Sequence, residues 1–261
     1  MLWEILKAGR TNNSDDLFTR LAARRVGVSK RGHIVLPHDT GTFNATAKGN
    51  NIIWEYDGER IQGGTCAFNI TNDYSTIRIA FDEALENLEI KNNSALKADL
   101  SDLGGKITYF LSLSNCKNIT GDLADLGGKI TNTLSLSNCP KITGDLADLG
   151  GKITHTLSLS NCKNITGDLA DLGGKITYIL SLYNCKNITG VYSGNSYPTN
   201  VNLSGTGLTA ADMDQTLINF NAGTTKSGTF TASGMTRTAA SDDAVAGMTA
   251  KGWTITGLTK V

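Results

Sequence analysis

Residues 103–125 read LGGKITYFLSLSNCKNITGDLAD, and closely similar 23-residue copies begin at Leu126, Leu149 and Leu172. The spacing is strict, because every glycine pair and every cysteine of the block recurs after 23 residues. A fixed period in this range indicates a solenoid or another repeat array. The repeated cysteines are Cys116, Cys139, Cys162 and Cys185.

Each copy contains a leucine-x-leucine core that predicts a short strand. In the first copy the alternation places Leu111 and Leu113 on one face of that strand. Cys116 follows three residues later, where the chain must turn out of the strand. A small polar side chain can bond backbone groups inside such a turn. Ile119 and the leucines beyond it are then expected to line the rest of the coil.

These residues resemble the leucine-rich repeat family. LxLxxCxxITG is close to the cysteine-containing form of that repeat, and ITGDLADLGG is similar to the LTGxIPxxLGxL half of the plant-type form. The resemblance covers about 100 residues and implies an α/β solenoid with short parallel strands. In one departure, the leucine that usually stands three residues before the strand pair is a threonine. These threonines are Thr108, Thr131, Thr154 and Thr177.

A diverged first repeat precedes the four copies. Leu88, Ile90, Asn93 and Leu96 each stand 23 residues before a strand or turn residue of the first copy. Asn93 therefore occupies the cysteine position. Leu85 stands where the later copies have threonine, and so we expect it to restore the leucine of the family.

The segments on either side of the repeats predict caps. Residues 33–84 contain short β-rich runs separated by Gly, Asn and Asp, and we expect them to cover the first coil. Residues 193–261 predict an α/β cap that starts with a sixth, shorter coil, VNLSGTGL. Its further elements are a helix from Thr209 through Asn219 with Met213, Leu217 and Phe220 buried, a strand at 228–232, a helix at 241–251 and a strand at 253–256.

Residues 1–32 differ from the rest, because they hold seven Lys or Arg against three Asp or Glu. They predict a basic amphipathic helical arm that docks on another protein or folds back on its own domain. The organisation is therefore an arm at 1–32, a β-rich cap at 33–84, a solenoid at 85–192 and a C-terminal part at 193–261. The residues expected to dock are Trp3, Leu6, Leu17, Phe18 and Leu21.

Charge and cysteine content exclude several classes of protein. The chain has 24 basic and 24 acidic residues, which gives no reason to expect a nucleic-acid partner. A single cysteine in each repeat lacks the paired spacing of a zinc site, so we expect the four repeat cysteines to be buried free thiols and Cys66 to be unpaired. Together with Asn93 at the same position of the first repeat, the four cysteines are expected to form a structural ladder. Free thiols fit folding in a reducing cytoplasm. The start of the chain does not have the pattern of a signal peptide, and no membrane-spanning helix is expected.

No catalytic motif stands out. The histidines are scattered, and neither a nucleophile elbow nor a phosphate loop is found, so we expect neither an enzyme nor a cofactor. Asp122, Asp125 and their copies could form a calcium ladder, but the glycine-rich nonapeptide of calcium-binding β-rolls is missing. We interpret them as carboxylates of helical turns.

The residues that flank the two leucines of each strand are the candidate binding residues. Hydroxyl rows of this kind also suit an exposed strand without a ligand, and the near-identity of the copies favours a rigid spacer in which length is the useful property. We predict that these residues face outward and form a neutral, hydroxyl-rich surface with apolar ends, suited to a glycan or a protein. We call them the strand face. They are Phe110, Ser112, Ser114, Thr133, Ser135, Ser137, Thr156, Ser158, Ser160, Ile179, Ser181 and Tyr183.

The C-terminal stretches LTAADMDQTLINF and SDDAVAGMTAKGWTIT resemble the ends of leucine-rich-repeat fibre and tail-type proteins of bacteriophages and related bacterial surface proteins. This resemblance implies a virion structural protein of a tail or head fibre, attached to other virion proteins by its N-terminal region. A host surface glycan or protein is the expected partner, and homo-oligomerisation is left open. The alternatives are an adhesin at the bacterial cell surface and an intracellular protein-binding module.

Overall fold

The computed structural model describes residues 31–223 and 227–261. The predicted arm, with its docking residues, therefore lies outside the described residues. Only its last two positions, Arg31 and Gly32, are described, and they begin the first strand.

Five strands form an antiparallel unit before the repeats. β2 pairs with β3, β4 and β5, and β1 pairs with the other side of β5. Alternate residues are buried along these strands, as in Ile77, Ile79 and Phe81. The β-rich runs predicted for this region are confirmed. The strands are β1 (Arg31–His38), β2 (Gly41–Tyr56), β3 (Glu59–Gln62), β4 (Thr65–Ile70) and β5 (Ser75–Glu89).

The repeats add one short strand per coil to this unit. β5, β6, β7, β9, β11 and β13 lie side by side and run parallel, while β8, β10 and β12 form a second parallel sheet. β13, which lies in the predicted sixth coil, pairs with β11. The strands are β6 (Ile107–Ser112), β7 (Thr133–Ser135), β8 (Thr143–Asp145), β9 (Thr156–Ser158), β10 (Asn164–Asp168), β11 (Ile179–Ser181), β12 (Asn187–Thr189) and β13 (Asn200–Asn202).

A short helical turn completes each coil. The first is the α-helical turn α1 (Leu100–Leu103), and 3-10 turns follow at Leu123–Leu126, Leu146–Leu149 and Leu169–Leu172. An aspartate caps every turn, and a second aspartate three residues later bonds back to the amide of the first. Our interpretation of the repeated aspartates as helical-turn carboxylates is thus confirmed.

The two sheets and the turns enclose one apolar core. In the third copy Leu157, Leu159, Cys162 and Ile165 are all fully buried, and the other copies repeat this pattern. A fully buried aliphatic side chain contributes about 1.5–3 kcal/mol relative to an exposed one. Each copy therefore contributes the same set of buried side chains to one continuous core.

The diverged first repeat is present, but one detail of our prediction is wrong. Leu88 pairs with Leu111 as the 23-residue spacing requires, whereas Leu85 pairs with Ile107 and not with Thr108. The register shifts between Leu85 and Asn87. An extra residue in one strand changes which side chains face the core, and Leu85 thereby fills the place that isoleucine fills in later copies.

The C-terminal part extends the larger sheet. β14 pairs with β13 and β15 pairs with β14, both parallel. The buried stripe predicted for the helix that follows Thr209 is confirmed, since Met213, Leu217 and Phe220 have no exposed surface. Both strands are longer than predicted. The elements are α2 (Ala210–Gly223), β14 (Thr229–Arg237), α3 (Asp242–Ala250) and β15 (Thr254–Lys260).

The described chain is therefore a mostly parallel β-sheet with short strands and a few short helices, compatible with a solenoid-like α/β fold. The boundary that we placed between residues 84 and 85 falls inside β5, so the β-rich unit and the first repeat share one strand. In the part of the chain that the structure describes, no helix is long and apolar enough to cross a membrane.

Candidate binding face

The larger sheet aligns the predicted strand face into rows that cross the coils. The residue before the buried leucine of each strand pairs with its counterpart in the next coil, and so does the residue after it. The leucines between these rows are fully buried. The two rows are Phe110, Thr133, Thr156, Ile179 and Ser112, Ser135, Ser158, Ser181.

Exposure along the face is uneven. Tyr183 is 45% exposed, whereas Ser112 and Thr133 are buried at 1% and 7%. The outward exposure that we expected is therefore wrong for Ser112 and Thr133. The other nine residues are partly exposed, and the two buried positions lie in the first two copies. The nine are Phe110, Ser114, Ser135, Ser137, Thr156, Ser158, Ser160, Ile179 and Ser181.

The serine hydroxyls are paired diagonally between coils. The Oγ of Ser114 lies 2.7 Å from that of Ser135, and the pairs Ser137–Ser158 and Ser160–Ser181 have the same separation. One hydroxyl in each pair donates to the other, which leaves the second O–H free to donate outward. The face therefore presents hydroxyl groups whose positions are already fixed.

Ser112 is the exception among these serines. Its buried Oγ has no hydrogen-bond partner within the described residues. The diagonal partner of Ser112 would stand 21 residues earlier, where the chain has Lys91, and the ammonium of Lys91 pairs instead with Glu89 at 2.9 Å. The serine pairing thus begins between the first and second copies, with Ser114 and Ser135.

An edge row that the repeat pattern did not predict runs beside the strand face. Consecutive amides and carbonyls join its members, with N–O distances of 3.0–3.1 Å. Two of its side chains are large exposed aromatics, Tyr109 at 49% and Tyr178 at 46%. The His155 and Tyr178 rings contact each other with centroids 5.0 Å apart. We define the edge row as Tyr109, Asn132, His155 and Tyr178.

The rows of the strand face also continue beyond the repeats, which was not predicted. Asn200 pairs with Ile179, Thr229 with Asn200, and Thr254 with Thr229. The second row extends in the same way through Asn202, Thr231 and Thr256. The sequence gives little indication of this extension, because the 23-residue repeat ends before β14 and β15.

An asparagine ladder fixes the turn that follows each strand. The repeat asparagines have φ near 62°, and their side-chain amides donate to the asparagine of the preceding coil at 2.6–3.0 Å. Asparagine tolerates this left-handed conformation better than other side chains do. In the sixth coil Gly205, with φ 69°, takes the same place. The asparagine ladder consists of Asn92, Asn115, Asn138, Asn161 and Asn184.

The cysteine ladder lies beneath it, inside the core. All five cysteines of the chain are buried and free. Each repeat thiol donates to a carbonyl of the preceding coil, as from Cys162 to Leu136 at 3.0 Å. Burial raises the pKa of Cys139 and Cys162 to about 12 and that of Cys185 to about 11, so these groups are neutral thiols at neutral pH. In the first repeat Asn93 Oδ1 accepts instead from the Leu96 amide at 3.0 Å.

The threonines that replace the family leucine have a role of their own. Thr131 donates through Oγ1 to the Thr108 carbonyl at 3.1 Å, and Thr154 donates to the Thr131 carbonyl at 2.9 Å. These side chains are exposed. The threonine column thus joins neighbouring coils by hydrogen bonds instead of entering the core.

The chemistry of this region is that of a neutral surface. Within residues 31–223 and 227–261 no group of three His, Cys, Asp or Glu side chains could hold a metal ion. On the side of the first repeat, Lys48 of β2 forms an ion pair with Glu86, and Lys91 forms one with Glu89. Hydroxyl, amide and ring groups therefore define what the face can contact. No family model matches this chain, and no curated protein or solved structure is significantly similar to it.

Proposed function

We propose that this chain is a non-enzymatic structural protein of a bacteriophage virion, a tail-fibre or head-fibre component. Its N-terminal region would attach to other virion proteins, and a leucine-rich repeat solenoid would present the strand face to the host surface or to another protein. The observation that carries the proposal is the strand face itself, because its residues align in rows across four strands and ten of the twelve are at least partly exposed.

The leucine-rich repeat assignment is supported by how each residue of the motif is used. The leucines of each strand fill the core, the asparagine before the cysteine adopts the left-handed turn, and the cysteine bonds the preceding coil. The helical turn then returns the chain to the next strand. These are the parts that a stacked repeat needs to bury an apolar face that one coil cannot bury alone.

Rigid presentation is supported by the bonds between coils. Backbone pairs, the asparagine ladder and the threonine column all join each coil to its neighbour. From β5 to β15 the parallel part of the sheet spans roughly 34 Å at the usual strand spacing. A stack of this kind holds a surface at a fixed distance from an attachment point.

A non-enzymatic role in a virion has three further supports. The titratable groups with shifted pKa have structural partners, as Asp214 has in Ser241 and Thr238. Buried free thiols suit a chain that folds in a reducing host cytoplasm before assembly. The resemblance of the C-terminal residues to fibre-type proteins points in the same direction.

Mass spectrometry of gradient-purified particles tests the proposal. A phage that encodes the chain is expected to carry it in stoichiometric amounts. Recovery of the chain from the bacterial surface but not from particles would contradict the proposal and favour the adhesin alternative. Recovery only from the cell interior would favour the protein-binding module.

Two deletions test the attachment. Removal of residues 1–30 leaves β1 intact and should abolish incorporation into particles. The matched control removes 126–148, one whole copy, and restores the same junction sequence, so it should be incorporated normally. Normal incorporation of the first variant would contradict attachment through the N-terminal region.

A further inference from the structure

The four copies differ from one another mainly on one surface. Over the first nineteen positions of each copy, only five columns change. Two of these, at 117–118 and their equivalents, change only in the second copy, to Pro140 and Lys141. The other three are the edge row, the first row of the strand face and the column of Ser114, Ser137, Ser160 and Tyr183.

Exposure alone does not explain this pattern. Ala124, Ala147 and Ala170 are exposed on the helical turns, and yet they are identical in the three copies that have the turn. Spacer function by itself would allow change at any exposed position. Three of the five varying columns lie beside or on the strand face, which is the pattern expected if a partner contacts this surface.

The residues that differ between the copies have side chains suited to binding a sugar. Tyr109, Tyr178 and Tyr183 are each between 45% and 49% exposed, so their rings offer flat apolar area next to a polar group. A pyranose likewise has C–H faces and a rim of hydroxyls. Asn132, His155 and the outward O–H of each serine pair provide donors and acceptors for that rim.

The absence of charged side chains limits the chemical class of the partner. Segments 109–114, 132–137, 155–160 and 178–183 contain no Asp, Glu, Lys or Arg. Lys48, which lies near Tyr109, is paired with Glu86. A nucleic acid or another polyanion needs Lys or Arg to neutralise its charge. The surface is therefore matched to a neutral ligand.

The spacing also fits a chain of sugar rings. The members of the edge row repeat with the coils, about 4.8 Å apart, which is close to the length of one pyranose along an extended glycan. From Tyr109 to Tyr178 the row covers three coil steps, or roughly 14 Å. We propose that the edge row and the strand face bind a neutral, unbranched glycan that runs across the coils. Its rings stack on Tyr109 and on the His155–Tyr178 pair.

This inference rests on the binding role in the proposed function, but its test is independent of the virion. The purified full chain is applied to a printed array of neutral and anionic oligosaccharides with at least four rings. Neutral, linear structures should be bound. Binding confined to anionic structures, or no binding to any structure, would overturn the inference.

Substitutions locate the site. Tyr109→Ala and Tyr178→Ala should each weaken binding to the neutral array hit about 10-fold, whereas Tyr178→Phe should retain most of it because the ring remains. Tyr74→Ala, at an 83% exposed tyrosine away from the face, is the matched control and should bind like wild type. Melting temperatures verify folding. Unchanged affinity in both alanine variants would refute the site.

The two proposals can fail separately. A chain that is found in particles but binds no neutral glycan would refute only the glycan inference. A chain that binds the array through Tyr109 and Tyr178 but is missing from particles would refute only the virion assignment. Capture of a host protein through the same tyrosines, without glycan binding, would also refute the glycan inference.

Discussion

The asparagine ladder gives a prediction in which one hydrogen bond can be isolated. Asn138 lies within the ladder: it donates to Asn115 at 2.6 Å and accepts from Asn161 at 2.7 Å. Asn184 is the last member and makes only the bond to Asn161, at 3.0 Å. Both residues have nearly the same backbone conformation, with φ of 62° and 61°.

The magnitude follows from this difference. Glycine adopts positive φ without strain. Its extra conformational entropy in the unfolded chain lowers the stability of both variants by the same amount. Asn138→Gly removes two ladder bonds and Asn184→Gly removes one. Since a hydrogen bond contributes about 1 kcal/mol net, Asn138→Gly should lower the free energy of unfolding by about 1 kcal/mol more than Asn184→Gly does.

Urea unfolding followed by far-ultraviolet circular dichroism measures this difference. The unfolding free energies of the two variants should depend on urea concentration with equal slopes. The difference in stability then appears as a lower urea midpoint for Asn138→Gly. Equal midpoints would mean that the ladder bonds do not stabilise the stack. A lower midpoint for Asn184→Gly would refute the reasoning altogether.

Three further predictions concern the core and the C-terminal part. Because burial raises the pKa of Cys139 to about 12, a thiol reagent at pH 8 should label none of the repeat cysteines until denaturant is added; rapid labelling of the native chain would contradict this. Leu157→Ala, at a fully buried position, should cost about 2–5 kcal/mol of unfolding free energy, against less than about 1 kcal/mol for Ser158→Ala, and similar losses in calorimetry would argue against the core. Burial opposes ionisation of Asp214, but hydrogen bonds from Ser241 and Thr238 lower its pKa overall, so its stabilisation is present above the unfolded pKa of about 3.9 and is lost as pH falls through the lower folded pKa. Asp214→Asn should flatten the acid side of the stability profile, and an unchanged profile would contradict this role.

The repeated part of the fold could be predicted because period and burial coincide. Leu111 and Leu113 alternate, Cys116 marks the turn, and each position recurs with the same surroundings in the next coil. Helix α2 could be predicted equally well, because Thr209 caps it and donates to Asp212 at 2.7 Å. In these places local pattern and tertiary packing require the same residues.

The errors arose where packing depends on something other than the period. The bulge after Leu85 shifts the register by a local change that the 23-residue spacing cannot reveal. The serine pairs join residues 21 apart, across two strands, so the pairing and the orphaned Ser112 require the three-dimensional stack. The edge row was overlooked because its members vary, and a search for repetition favours constant positions.

The adsorption of particles to host cells tests the central claim most directly. Particles are prepared with wild-type chain or with the Tyr109→Ala and Tyr178→Ala double variant, and mass spectrometry confirms that both are incorporated equally. If the chain presents its edge row and strand face to the host surface, the double variant should adsorb more slowly, and free neutral glycan should slow the wild type to a similar rate. Equal adsorption of both particles would contradict the account.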